Sequence, residues 1–91
     1  MKAQALVAHN LRKLRVRLGI SQENLGVDAN IDRTYVSRLE RGLENPTVLI
    51  LERLARALHC EISDFFLSLR PNEKYPSPLP AGRKPRREGG R

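Results

Sequence analysis

The apolar positions ahead of Pro71 repeat with a helical period. Val7, Leu11, Leu14 and Leu18 follow at steps of four, three and four, which aligns one stripe along a helix. Gly19 ends that helix, because glycine takes the left-handed conformation a helix C-terminus needs. Ser21 offers an N-cap oxygen to a second helix over 22–28, with Leu25 facing inward and Gly26 weakening it. Ala29-Asn30-Ile31 is the next break, and Asn30 suits a residue at positive φ. Asp32 caps a third helix over 33–41, with Val36 and Leu39 turned to the core and Gly42 closing it. Asn45-Pro46 interrupts the chain again. Thr47 caps a fourth helix over 48–59, whose buried stripe is Val48, Leu51, Leu54, Ala55 and Leu58. A fifth helix over 62–69 brings in Ile62, Phe65 and Phe66. No stretch alternates with period two, so no sheet is expected.

The pattern therefore predicts an all-α, five-helix domain over residues 1–70. Composition changes at Pro71. Five of the six prolines lie from there on, with three glycines and only Tyr75 and Leu79 as apolar anchors. Such a segment buries too little to offset its ordering entropy, so 71–91 is expected to be a flexible, disordered tail.

Charge adds direction. The net charge is +7. Residues 1–70 carry 11 Lys and Arg against 8 Asp and Glu, and residues 71–91 carry 6 against 2. A basic chain is drawn to polyanions, chiefly nucleic acid. Charge alone separates this weakly from a soluble helical protein with a solvated basic tail. There is no apolar run of about 18 residues to span a membrane. Asn10, Arg12 and Lys13 interrupt what would be a signal peptide's apolar stretch. The single cysteine, Cys60, forms no internal disulfide, which fits a cytoplasmic protein.

The informative constellation is the second and third helices with the tight turn between them. Leu25, Ala29, Ile31, Val36 and Leu39 hold the pair together from inside. Arg33, Thr34, Ser37, Arg38 and Arg41 face outward, rich in donors and without a carboxylate. A packed inner face and a polar outer one are what helix-turn-helix reading of DNA requires. Arg33, Thr34, Ser37 and Arg38 are the base-edge candidates, since Arg33 sits at the end that enters the groove and 34 and 38 are one turn apart. An arginine there can pair bidentately with guanine, and Thr34 can meet a thymine methyl. Gln22, at the start of the second helix, suits a phosphate. Tyr35, Arg41 and Asn45 are further phosphate candidates. Their bland alternatives are core packing for Tyr35 and ordinary loop polarity for the other two.

The chain resembles the phage-repressor-type, Cro-like or XRE-like helix-turn-helix regulators. The resemblance covers about residues 6–68. It rests on Leu11-Arg12-Lys13-Leu14-Arg15, Gly19-Ile20-Ser21-Gln22, Arg33-Thr34-Tyr35-Val36-Ser37-Arg38-Leu39-Glu40-Arg41-Gly42, Asn45-Pro46-Thr47, Leu54-Ala55-Arg56-Ala57-Leu58 and Ile62-Ser63-Asp64-Phe65-Phe66. It implies a lambda-repressor-like domain that binds operator DNA, usually as a homodimer, and regulates transcription. It also implies an ion pair between Arg15 and Glu40 that positions the recognition helix. Gly26 stands where the family usually has alanine, and Asn30 where it usually has glycine. Asn24 leaves the capping box at Ser21 incomplete.

Leu49 lies off the buried stripe of the fourth helix and Ile50 at its edge. With Leu67 and Leu69 they are the candidate dimer contact. His9, His59 and Cys60 do not make a metal-ligand set, and no nucleophile and base stand together. No cofactor and no catalysis are expected. Within the regulator reading, a restriction–modification controller protein and an antitoxin are variants, and Arg33-Thr34-Tyr35-Val36-Ser37 looks like the controllers' stretch. From another class comes a protein-interaction module that keeps the fold without DNA binding. Acidic residues on the outer face of the third helix would favour it, and Arg33, Arg38 and Arg41 stand there instead.

Overall fold

The computed structural model describes residues 3–69, and the basic tail expected over 71–91, including Arg83, Lys84, Arg86 and Arg87, lies outside them. Four helices follow in order: α1 (Ala3–Leu18), α2 (Gln22–Ala29), α3 (Arg33–Glu40) and α4 (Val48–Leu58). A single 3₁₀ turn at Ile62–Phe66 completes the domain. Among the described residues there is no strand.

Each of the last three helices starts on the cap that its sequence supplies. Ser21 Oγ accepts from Asn24 N–H at 2.9 Å, Asp32 Oδ2 from Thr34 N–H at 3.0 Å and Thr47 Oγ1 from Ile50 N–H at 3.1 Å. All four helices end in one way. A left-handed residue follows each, after Arg41 in the case of α3, and its own amide and the next bond back onto the last turn. The left-handed residues are Gly19, Asn30, Gly42 and His59, with φ of 75°, 58°, 74° and 56°. Histidine at the last of these carries no sequence signal for the role.

The core is sealed by Leu11, Leu25, Val36, Leu54 and Phe65, all fully buried, with Val7, Ala29, Leu39, Leu51, Ala55 and Leu58 around them. α1 packs on α3 and on the 3₁₀ turn, while α2 packs on α3 and α4. Three apolar expectations are corrected. Leu18 is 47% exposed, because it is the last residue of α1 before the chain turns away at Gly19. Val48 is 72% exposed, because it opens α4 directly after its cap. Phe66 is also exposed, and the fifth helix stops at Phe66 instead of reaching Leu69. The chain here meets Asn10, buried in α1. Its Nδ2 donates to the carbonyls of Phe65 and Leu67, both at 2.9 Å, which holds the chain after the turn against α1. At Leu67 the backbone is extended.

Cys60 is half-buried and packs against the core. Burial pushes its thiol up, and the carboxylates of Asp64 and Glu61 add to this. The described residues hold no group of acids, histidines and cysteines placed for a metal. None of the described helices is long and apolar enough to cross a membrane.

Candidate nucleic-acid interface

The interface is built from the turn between α2 and α3. Asn30 N–H donates to Val27 O at 3.2 Å and Ile31 N–H to Gly26 O at 2.8 Å, which reverses the chain in three residues. Gly26 lies directly beneath this reversal. A Cβ there would stand 2.6 Å from the Ile31 carbonyl oxygen. The two departures from the family pattern therefore meet in one turn. Gly26 gives up some helix propensity and allows the closest approach of α2 to the start of α3.

On α3, Val36 and Leu39 are buried in the core and Glu40 is buried beside them. Arg33 and Thr34 are exposed at the N-terminal end, and Ser37 and Arg38 are half-exposed one turn on. The structure thus brings the four base-edge candidates to one outer surface. Arg41, which caps the helix, and Asn45 in the following loop are exposed. Tyr35 is half-buried and packs against the core. Burial pushes its phenol up, and the Glu44 carboxylate pushes it further in the same direction. At neutral pH the group is a neutral hydroxyl that can donate a hydrogen bond.

A carboxylate ties this surface to the rest of the domain. Arg15 on α1 donates from Nε to Glu40 Oε2 at 2.5 Å and from Nη2 to Glu40 Oε1 at 3.0 Å. Its remaining Nη1 donates to the Ile20 carbonyl at 2.9 Å. The Glu40 side chain is 3% exposed. Gln22 Nε2 also donates to Glu40 Oε1, at 3.1 Å. One buried acid thereby joins α1, α2 and α3. The Gln22 bond was not expected from the sequence. It turns the amide of this phosphate candidate partly inward and leaves the helix-start N–H groups as its outward donors.

A second ion pair qualifies the carboxylate-free outer face expected for α3. Arg38 Nε donates to Glu44 Oε2 at 2.7 Å, from the loop that follows the helix. Gly42 and Leu43 bond back to Leu39 and Arg38, and this turn returns Glu44 to the side of Arg38. Of the four dimer candidates, Leu49 and Leu67 are exposed and Leu69 is half-buried. Ile50 is half-buried against the core instead of standing out with Leu49. Val48 joins Leu49 on the exposed start of α4, a position the pattern assigned to the core.

With this geometry in place, known proteins give a consistent match. A helix-turn-helix family model matches residues 11–65. The chain belongs to the helix-turn-helix family. The resemblance to Cro-like and XRE-like regulators is borne out. A hypothetical transcription factor from Neisseria meningitidis serogroup B is 39% identical over 71 residues. The match takes in 78% of this chain and 65% of that protein, so the chain spans just under two thirds of it. The crystal structure of the restriction–modification controller protein C.AhdI from Aeromonas hydrophila is 36% identical. It superposes with a TM-score of 0.68 over 69% of this chain and 96% of its own. A third match is the controller protein C.Esp1396I, solved as a tetramer in complex with its natural 35-base-pair operator. It is 33% identical, with a TM-score of 0.67 over 72% of this chain and 87% of its own.

Proposed function

We propose that this chain is a sequence-specific DNA-binding regulator of transcription that acts as a homodimer on operator DNA. The observation that carries the reading is the division of α3. Val36, Leu39 and Glu40 are buried beneath it, while Arg33 and Thr34 are exposed and Ser37 and Arg38 half-exposed above. A short helix fixed from below, with arginines and hydroxyls outward, meets the demands of the major groove.

In this reading Arg33, Thr34, Ser37 and Arg38 meet base edges. Gln22, Tyr35, Arg41 and Asn45 hold phosphates and so set the register. Arg15 and Glu40 hold the recognition helix in place. A second copy of the chain docks on Leu49 and its exposed apolar neighbours, which sets the spacing of two half-sites.

The narrower role we infer is that of a restriction–modification controller. The match to C.AhdI over 96% of its length favours it, as does the operator-bound C.Esp1396I tetramer. A protein-interaction module that has lost DNA binding is disfavoured by the exposed Arg33 and Arg41.

Selection of bound sites from a random DNA pool, followed by a salt titration on the winner, tests the reading. A twofold-symmetric site is expected. Its affinity should fall with salt at a log–log slope of about −0.9 per phosphate contacted. No enrichment, or binding indifferent to salt, would overturn it.

A further inference from the structure

We propose that Glu44 is a specificity-determining positioning residue: it grips Arg38 by Nε, presents the guanidinium's outer edge to a base, and keeps this arginine off the phosphates. The inference rests on the DNA-binding reading above and adds a residue to it that no base or phosphate contact would identify.

Three observations carry it. The ion pair uses Nε, at 2.7 Å. That leaves Nη1 and Nη2 together as a fork, with the geometry that matches guanine O6 and N7. Second, the partner is itself anchored. The Glu44 carbonyl accepts from Gln4 Nε2 on α1 at 2.9 Å, and the Gly42 turn fixes the path back from α3. Glu44 is therefore held from two sides before DNA arrives. Third, the pair is only partly wet, with the side chains 44% and 28% exposed. Its charge is felt nearby, since the same carboxylate raises the Tyr35 phenol.

The chemical consequence has two parts. A long arginine free in solvent samples many rotamers and settles on whichever phosphate oxygen is near, because the backbone offers the densest negative charge. Arg38 held at Nε has fewer orientations to lose and is aimed at one base pair. Meanwhile the Glu44 carboxylate repels the phosphates beside it. Affinity for random DNA is lower than the cationic surface alone would give. Discrimination is gained at the expense of general affinity, which is how specificity against competing sites is commonly set.

The test is fluorescence anisotropy with the full chain, on its selected site, on single-base-pair variants of that site and on random DNA, across a salt series. Wild type, Arg38→Ala, Glu44→Ala, Glu44→Gln and the double variant Arg38→Ala with Glu44→Ala are compared. Thermal melts followed by circular dichroism check that each is folded. Arg38→Ala should lose discrimination at one base pair per half-site. Glu44→Ala should lower discrimination at that same pair at least about fivefold. It should also bind random DNA more tightly, with the salt slope steeper by about 0.9 as Arg38 moves to a phosphate. Glu44→Gln keeps an acceptor oxygen without the charge. It should bind random DNA more tightly than wild type but less tightly than Glu44→Ala, and keep more of the discrimination. In the Arg38→Ala background, Glu44→Ala should leave discrimination unchanged.

Wild-type discrimination and slope in folded Glu44→Ala would overturn the role of Glu44 and leave the DNA-binding reading standing. So would an Arg38→Ala variant that still discriminates at every pair, or a uniform loss of affinity in Glu44→Ala. A wild-type chain that binds no DNA would remove both readings together.

Discussion

The turn between α2 and α3 and the start of α4 are built to different standards of closure. At the first, Leu25 and Val36 are fully buried and Ala29 and Leu39 nearly so, with Ile31 half-buried on the core and Val27 the one large apolar side chain left in solvent. Its one buried carboxylate, on Glu40, has three donors. At the second, the cap is equally good, with Thr47 holding Ile50 N–H, yet Val48 and Leu49 stand 72% and 56% exposed. On the function proposed above, the difference lies in what each region must meet. A surface that reads DNA has to be rigid before contact, so its support is complete within one chain. A surface that receives a second protein can leave its apolar groups for the partner to cover.

Four substitutions test that contrast, and the largest effect is expected inside the closed region. Glu40→Ala strands the Arg15 guanidinium in a site only 14% exposed. It should cost about 3–5 kcal/mol of folding stability in urea melts. Wild-type stability would show the pair to be dispensable. Gly26→Ala comes next. Its Cβ meets backbone at 2.6 Å, so the α2–α3 turn must shift, and about 1–3 kcal/mol should be lost despite the better helix former. A neutral result would mean that the turn yields freely.

At the open region the expected losses are in association. Leu49→Asp should weaken self-association about tenfold, or roughly 1.4 kcal/mol, in sedimentation equilibrium, with little change in monomer unfolding. Unchanged association would move the dimer contact elsewhere. Thr47→Ala removes one cap bond from α4 and should lower stability by about 1 kcal/mol by thermal melting. A larger loss would show that the open end depends on its cap for more than this one bond.

The helices themselves could be read in advance, because their signals are local. Ser21, Asp32 and Thr47 each supply an oxygen within three residues of the amide it captures. Gly19, Asn30 and Gly42 are the residues for which left-handed backbone costs least. The spacing of Val7, Leu11 and Leu14 marks one face whatever the helix packs against. Arg33 and Thr34 fall on the outer face of α3 by the same periodicity. Physical proximity in the chain makes such features independent of the rest of the fold.

What the residue order left open depends on atoms brought together from far apart. Asn10 reaches the Phe65 carbonyl across 55 residues. Gln22 reaches Glu40 across 18 residues. Glu44 reaches Arg38 only because the chain reverses at Gly42. Val48, by its spacing, belongs with the core, yet it opens α4 and stands in solvent. A repeat of apolar positions fixes which way a side chain points around its own helix. How far that helix extends past its neighbours, and which polar atoms it meets there, is set by packing in three dimensions.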